Sequence, residues 1–301
     1  MAIQTPSLEL GAGLVRATTN SASRGYWKSV GRRLRRDPVT LICAGTLILI
    51  VAASLAAPWL GLADPYKTSM IRRLLPIGSP NNLLGTDELG RDMLARLIYG
   101  GRLSLFMGVT PVVCALLIGG LLGITAGFVG GRTNMLIMRV MDVFYAFPSV
   151  LLAISLSGAM GAGTENTLLS LTLVFIPPIC RVSESVTTQV RGFDFVDAAR
   201  ASGAGTLTIV RVHVLGNVLG PIFVYATSLI SVSMILAAGL SFLGLGVKPP
   251  EPEWGLMLNT LRQAIYVNPI LAALPGVMIF ITSICFNLMS DGLRAAMDMK
   301  T

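Results

Sequence analysis

Residues 39–62 form an apolar run, VTLICAGTLILIVAASLAAPWLGL, without one charged side chain. As a helix this run is about 36 Å long, enough to cross roughly 30 Å of hydrocarbon. Its aliphatic side chains contribute on the order of −5 to −9 kcal/mol to insertion, with no charge to oppose them. Further apolar runs follow at 103–128, 143–160, 166–180, 220–244 and 269–289. Only 13% of the 301 residues are charged and 53% are hydrophobic, against about 25% charged in a soluble globular chain. The class is therefore an all-α integral membrane protein with six transmembrane helices. The small residues Ala52 to Ala57 would also suit a cleaved signal peptide, but the long tail before the run and the later spans favour a retained anchor.

Around the spans the chain divides as follows. Residues 1–38 are polar and end in the cluster Arg32, Arg33, Arg35, Arg36; they predict a disordered cytoplasmic tail leading to a membrane-surface helix. Residues 63–102 form a hydrophilic loop. In it Thr86 can cap a helix with Asp87 and Glu88 in its first turn. The stripe Leu89, Met93, Leu97, Ile98 would lay that helix flat at the interface. In the second span Gly119, Gly123, Gly127 and Gly131 recur every four residues, a helix-packing face and not a phosphate cradle. Arg139 and Asp142 would together cost roughly 5–7 kcal/mol at the bilayer centre, so the third span starts after them, with a kink or a start at Pro148.

The run at 166–180 is short, holds several Ser and Thr and ends in Pro177-Pro178. A full span and a re-entrant segment both fit this length; a span places residues 181–217 on the same side as the N-terminus. Between the last two spans, Pro249 and Pro250 exclude a regular helix, and Trp254 suits an interfacial position. Six spans with both termini inside put fifteen of the 23 Lys and Arg in inner segments and eight in outer ones, which supports N-in, C-in. The core then covers 103–294, with a short tail at 295–301.

The polar passage 181–217 holds the candidate functional element. Asp194 to Gly203 reads as a short helix: Ala198 and Ala199 favour it, Asp194 can cap it, Asp197 lies in its first turn, and Gly203 can end it in a left-handed turn. Phe195 is expected beside Ala198 and Ala199, a large anchor next to a shallow groove. Such a helix suits insertion into a cleft on another protein; an amphipathic helix lying on the membrane surface is the other reading.

Other chemistry is missing from the sequence. The net charge of +8 is concentrated in the tail, where topology explains it, and does not point to nucleic acid. Cys43, Cys114, Cys180 and Cys285 lie in or beside apolar segments without C-x-x-C spacing, so no metal site or disulfide framework is implied. No P-loop occurs, and the one histidine, His213, has no H-E-x-x-H or G-x-S-x-G context. No catalytic residue is expected. Three classes stay open on these grounds: a transport subunit powered by a partner ATPase, an independent channel or secondary transporter, and an intramembrane enzyme. No acid is forced into a span, which weighs against ion coupling.

Several segments resemble one family. Residues 84–92, LGTDELGRD, resemble a motif that precedes the second span in C-type permeases of dipeptide, oligopeptide and nickel (opine) ABC importers; Gly85, Thr86, Asp87, Gly90, Arg91 and Asp92 carry it. Residues 197–203, followed by His213 and Leu215, resemble that family's cytoplasmic EAA loop, with aspartate for glutamate, His213 for isoleucine and Gly216 for proline. Pro250, Trp254 and Gly255 lie in a third segment, and NLMSDGLR at 287–294 resembles a fourth.

The resemblance implies a type I importer fold in the bacterial inner membrane, with a five-helix core behind one extra helix. It implies four kinds of neighbour: a second related permease, two ATPases that hold ATP and Mg, an extracytoplasmic solute-binding protein, and membrane lipid. This chain would bind no cofactor of its own. The cargo implied is a small peptide, with nickel, a metal–opine chelate or glutathione as alternatives. Phe195, Asp197, Ala198, Ala199, Gly203, His213 and Leu215 would couple to an ATPase. Ser228, Ser231, Ser233 and Asn287 are polar positions in spans that could line a pore or pack helices.

Overall fold

The computed structural model describes residues 30–297; residues 1–29 of the expected cytoplasmic tail lie outside them. Asp37 starts the first span. Its Oδ1 accepts from the Val39 N–H at 3.2 Å, and Pro38 fills the first helical position, where a missing N–H costs nothing. Helix α1 (Pro38–Ala56) continues through a 3-10 turn, Ala57–Trp59. It packs on α2 (Met93–Val129) and α9 (Pro269–Met297), with one side open to lipid.

Helix α2 is central and 37 residues long. Its start replaces the expected interfacial helix. Asp92, not Thr86, is the cap, accepting the Ala95 N–H at 2.8 Å. Met93 and Leu97 are buried against α8 (Trp254–Thr260) and α9, while Leu89 is exposed and Ile98 half-buried; the middle of the stripe faces protein and the helix runs straight on into the membrane. Residues 84–92 are a folded loop, because Asp87 is consumed in side-chain pairing and Gly85 and Gly90 take positive φ.

The third crossing is a broken one. Helix α3 (Gly131–Tyr145) and α4 (Ser149–Met160) meet at 85°, and Pro148, with no N–H to donate, begins the second piece. Helix α5 (Thr164–Arg191) runs 28 residues through Pro177 and Pro178. The expected short span therefore extends to Arg191 without a re-entrant turn, and the first eleven residues of the 181–217 passage belong to this helix. Helix α6 is Asp194–Ala201. Helix α7 (Thr206–Phe242) opens with one α turn, Thr206–Ile209, passes through a π turn, Val210–Val214, and continues as α-helix from Leu215. Among the described residues five helices are long and apolar enough to cross a membrane, or six with the bent pair counted as one.

The tightest packing joins α2 to α5. A Cβ on Gly119 would lie 2.7 Å from the Ile176 carbonyl oxygen, one on Gly127 2.6 Å from that of Glu184, and one on Gly123 would overlap that of Cys180. Backbone meets backbone over three turns, as small-residue seams permit. Gly131 is outside this seam: it opens α3 with φ +54° and has open space around its Cβ position.

Candidate functional site

The inner site is built on α6. The valine and alanine at i and i+3, Val196 and Ala199, are buried and pack with Phe128, Val190, Ile209, Val214 and Val218. They pin α6 to the inner ends of α2, α5 and α7. Arg191 donates to the Gly127 carbonyl at 3.4 Å, and the Arg200 guanidinium lies 5.9 Å from the Phe128 ring centre.

The end of α6 follows from Gly203. With φ +82° it lets its own N–H reach the Arg200 carbonyl at 3.0 Å, while the Ala204 N–H reaches the Ala199 carbonyl at 3.1 Å. These are the two bonds of a Schellman motif, which satisfy carbonyls that the helix end would otherwise leave bare. Asp194 is the first helical residue and Phe193 the cap, without a side-chain bond; the expected Asp194 cap is shifted by one position.

What α6 leaves exposed is a small aromatic and acidic patch. Phe193 and Phe195 are 44% and 40% exposed, with ring centres 5.7 Å apart. His213, on the π turn, places its ring 6.3 Å from that of Phe195. Asp197 points outward and, among the described residues, pairs at 3.0 Å with Arg200, which is less exposed than the acid itself. Ala198 is exposed and Ala199 buried, so the expected Phe195–Ala198–Ala199 face is split between surface and core. Leu215 is half-buried. Sequence reasoning missed Val196 as the pin and Phe193 as the second aromatic; the Val190–Val196–Ala199 spacing was the available signal for the pin.

The outer motifs come together as one buried plate. Asp87 Oδ2 pairs with Arg91 Nε at 2.6 Å and lies 3.2 Å from Arg96 Nε; all three residues are at most 3% exposed. Glu88 meets Arg91 at 3.2 Å. Asn82 donates to Asp92 at 2.8 Å, and Thr86 accepts the Leu75 N–H at 2.9 Å and donates to the Arg72 carbonyl. Arg96 bridges to the second segment, donating to the Pro65 carbonyl at 3.0 Å and the Pro250 carbonyl at 3.3 Å.

Trp254 is fully buried, not interfacial. Its Nε1 donates to the Leu97 carbonyl at 2.9 Å, a bond that water would otherwise supply. Gly255 lies against Ala238, where a Cβ would come within 2.5 Å of its carbonyl oxygen. Glu253 caps α8 from inside the plate, accepting from Gly255 and Leu256 N–H at 2.8 Å each and from the Ser104 hydroxyl at 3.2 Å. Burial raises its pKa, and those bonds pull the other way. Side chains this deep cannot touch a partner directly. The exposed outer residues are others: Ile71, Met70, Leu83, Tyr266 and Val267.

Among the polar span residues, Ser231 and Asn287 line one cavity of about 600 Å³ between α7 and α9, together with Ser283. Ser233 is fully buried and Ser228 bonds the Tyr225 carbonyl on its own helix, so neither lines that cavity. Among the described residues no cluster of His, Cys, Asp or Glu could hold a metal ion.

Comparison with known proteins shows the family. Residues 119–301 match the family described as binding-protein-dependent transport system inner membrane component. Residues 25–76 match the N-terminal TM domain of oligopeptide transport permease C. The di/tripeptide transport system permease protein DppC of Pseudomonas aeruginosa is 44% identical, over 84% of this chain and 86% of that one. The glutathione transport system permease protein GsiD of Pectobacterium atrosepticum is 37% identical over 92% of each. The probable D,D-dipeptide transport system permease protein DdpC of Escherichia coli K12 is 36% identical over 89% of each. A chain of the inward-facing MetNI methionine ABC transporter matches in fold, with TM-score 0.56 and 19% identity over 68% of this chain and 97% of that one.

Proposed function

Since the chain belongs to the binding-protein-dependent inner-membrane transport components, as a C-type permease of the dipeptide and oligopeptide ABC importers, we propose that α6 is the lever by which a partner ATPase works it. The observation that carries this is the division of α6 into two faces. Val196 and Ala199 fix it to three membrane helices, while Phe193, Phe195 and Asp197 are exposed on the other side. A helix held on one side and bare on the other transmits force from whatever grips the bare side. The acid in its first turn also suits a basic groove.

In this reading two ATPases bind ATP and Mg, and their closure tilts α6 together with the inner ends of α2, α5 and α7. A second, related permease completes the pathway, and a loaded solute-binding protein docks outside. ATP drives the cycle only through its unequal affinity for the inward- and outward-open states. The outer plate positions the exposed residues around it for that docking; the motif residues themselves act as its frame.

The cargo is a small peptide of two or three residues. Three relatives support this, named for di/tripeptide, glutathione (itself a tripeptide) and D,D-dipeptide transport. Nickel and metal–opine chelates stand as the alternatives, and uptake of a labelled dipeptide against labelled nickel by cells with and without this gene separates them. Asp197→Lys tests the lever: co-purification of the ATPases should fall about tenfold, the magnitude of removing a favourable charge contact and adding a like-charge clash. Unchanged co-purification overturns the assignment of α6.

A further inference from the structure

We propose that the groove between α2, α7 and α9 at the inner face binds one anionic glycerophospholipid, its acyl chain in the groove and its headgroup on the arginines of residues 32–36. The groove holds about 670 Å³ and is lined almost wholly by apolar groups, among them Leu117, Gly120, Leu219, Phe223 and Leu293. Its depth is consistent from every side. It takes the inner half of α2, the inner half of α7 and the last turns of α9, so it opens at inner-leaflet level.

What stands at its mouth selects the occupant. Val30 closes one edge of the groove and is itself buried. The short helix at 30–34 that carries it leads into Arg32, Arg33, Arg35 and Arg36, all exposed. None of the four has a carboxylate partner among the described residues. The nearest acid in sequence, Asp37, is already committed: it caps α1 through Val39 and accepts from the Thr40 hydroxyl, and that hydroxyl bond lowers its pKa. Four guanidinium groups within five residues, on the segment that follows directly from a lining residue of an acyl-sized apolar groove, match a phosphate-bearing headgroup with a hydrocarbon tail. A zwitterionic lipid would satisfy the groove and leave the charge unanswered. Basic residues close to an anionic membrane surface add attraction residue by residue, and guanidinium forks suit phosphate oxygens.

The test uses the full chain, purified in detergent and placed in nanodiscs of phosphatidylglycerol and phosphatidylcholine in equal amounts, with tightly retained lipid counted by native mass spectrometry. The intact chain should retain about one phosphatidylglycerol, enriched about tenfold over phosphatidylcholine. Replacing the four arginines by glutamine should abolish the enrichment, and replacing them by lysine should restore most of it. Gly120→Leu fills the groove without touching the arginines or the topology; the nearest side-chain atom to its new Cβ is Leu116 Cδ1 at 3.9 Å. That variant should lose the retained lipid of either kind. Equal retention by Gly120→Leu and the intact chain overturns the proposal. So does equal binding of the two lipids by the intact chain, or cross-linking that places residues 1–29 of this chain in the groove.

Discussion

Gly203 concentrates the demands on α6 in one backbone angle. Its φ of +82° is in the left-handed region, and nothing lies within 4 Å of a Cβ built there. The cost of a substitution is therefore conformational, not steric. Gly203→Asn should be tolerated, Gly203→Ala should cost about 1 kcal/mol, and Gly203→Val should cost more because a branched Cβ resists that region. The expected signature of Gly203→Val is ATP hydrolysis that continues while uptake falls, measured in proteoliposomes with the partner subunits; tightly coupled uptake would count against the lever. At the outer end, Asp87 answers two guanidinium groups that are almost out of water. Asp87→Asn would leave Arg91 with Glu88 as its carboxylate and Arg96 with the Pro65 and Pro250 carbonyls alone, and breaking a buried pair in this way costs about 3–5 kcal/mol. Membrane yield and the melting temperature in detergent should both drop sharply. Gly203 was readable from sequence, since a glycine closing a short alanine-rich helix predicts its own φ. The burial of Asp87 was not. A T-D-E string reads equally well as a helix start, and only the approach of Arg96 from the next helix shows which reading holds.

Among the elements, the seam between α2 and α5 makes the sharpest distinction between glycines. A methyl at Gly123 would overlap the Cys180 carbonyl and come within 2.5 Å of the Ser183 Cβ, whereas one at Gly158 in α4 meets nothing within 4 Å. Gly123→Ala should therefore cost about 1–3 kcal/mol through forced separation of the helices. Gly158→Ala should be neutral or stabilising by up to about 1 kcal/mol. Thermal unfolding of the two variants side by side reads the difference. The four-residue spacing announced this seam, but it also named Gly131, which sits past the helix break at Gly130. Periodicity carries no mark of where one helix stops. The same limit applies to α5: Pro177-Pro178 signals an end in a soluble chain, yet a membrane helix carries prolines where neighbouring helices hold it. Helix α3 was hidden because its charged residues, Arg132, Arg139 and Asp142, resemble a loop when read one by one. Packed on α5, Asp142 meets Arg181 at 2.5 Å and Asn134 meets Glu184 at 2.6 Å.

For the whole molecule, the all-helical membrane class was plain in the sequence, because uncharged runs of such length admit few alternatives, and the six expected crossings correspond to five long helices plus the bent pair. The arrangement of the outer side was not. Residues 84–96 and 250–255 are separated by more than 150 positions, and no local pattern announces that Arg96 reaches the Pro250 carbonyl. A passive role for the chain predicts that, purified alone, it hydrolyses no ATP. Measurable turnover in a preparation free of ATPase subunits would contradict it.

One helix takes part in both ends of this design. Helix α2 carries Arg96 in its first turn and Phe128 in its last, about 48 Å apart at the rise of an α-helix. Its outer end is bolted into the plate and its inner end packs against α6, with Pro111 between them. If α6 is worked as proposed, this helix would serve as a drive shaft: a twist imposed in the cytoplasm would arrive at the far side of the membrane as a turn of the plate, without loops to relay it. Stiffness along that shaft, more than any single contact at either end, would set how faithfully each stroke inside becomes an opening outside.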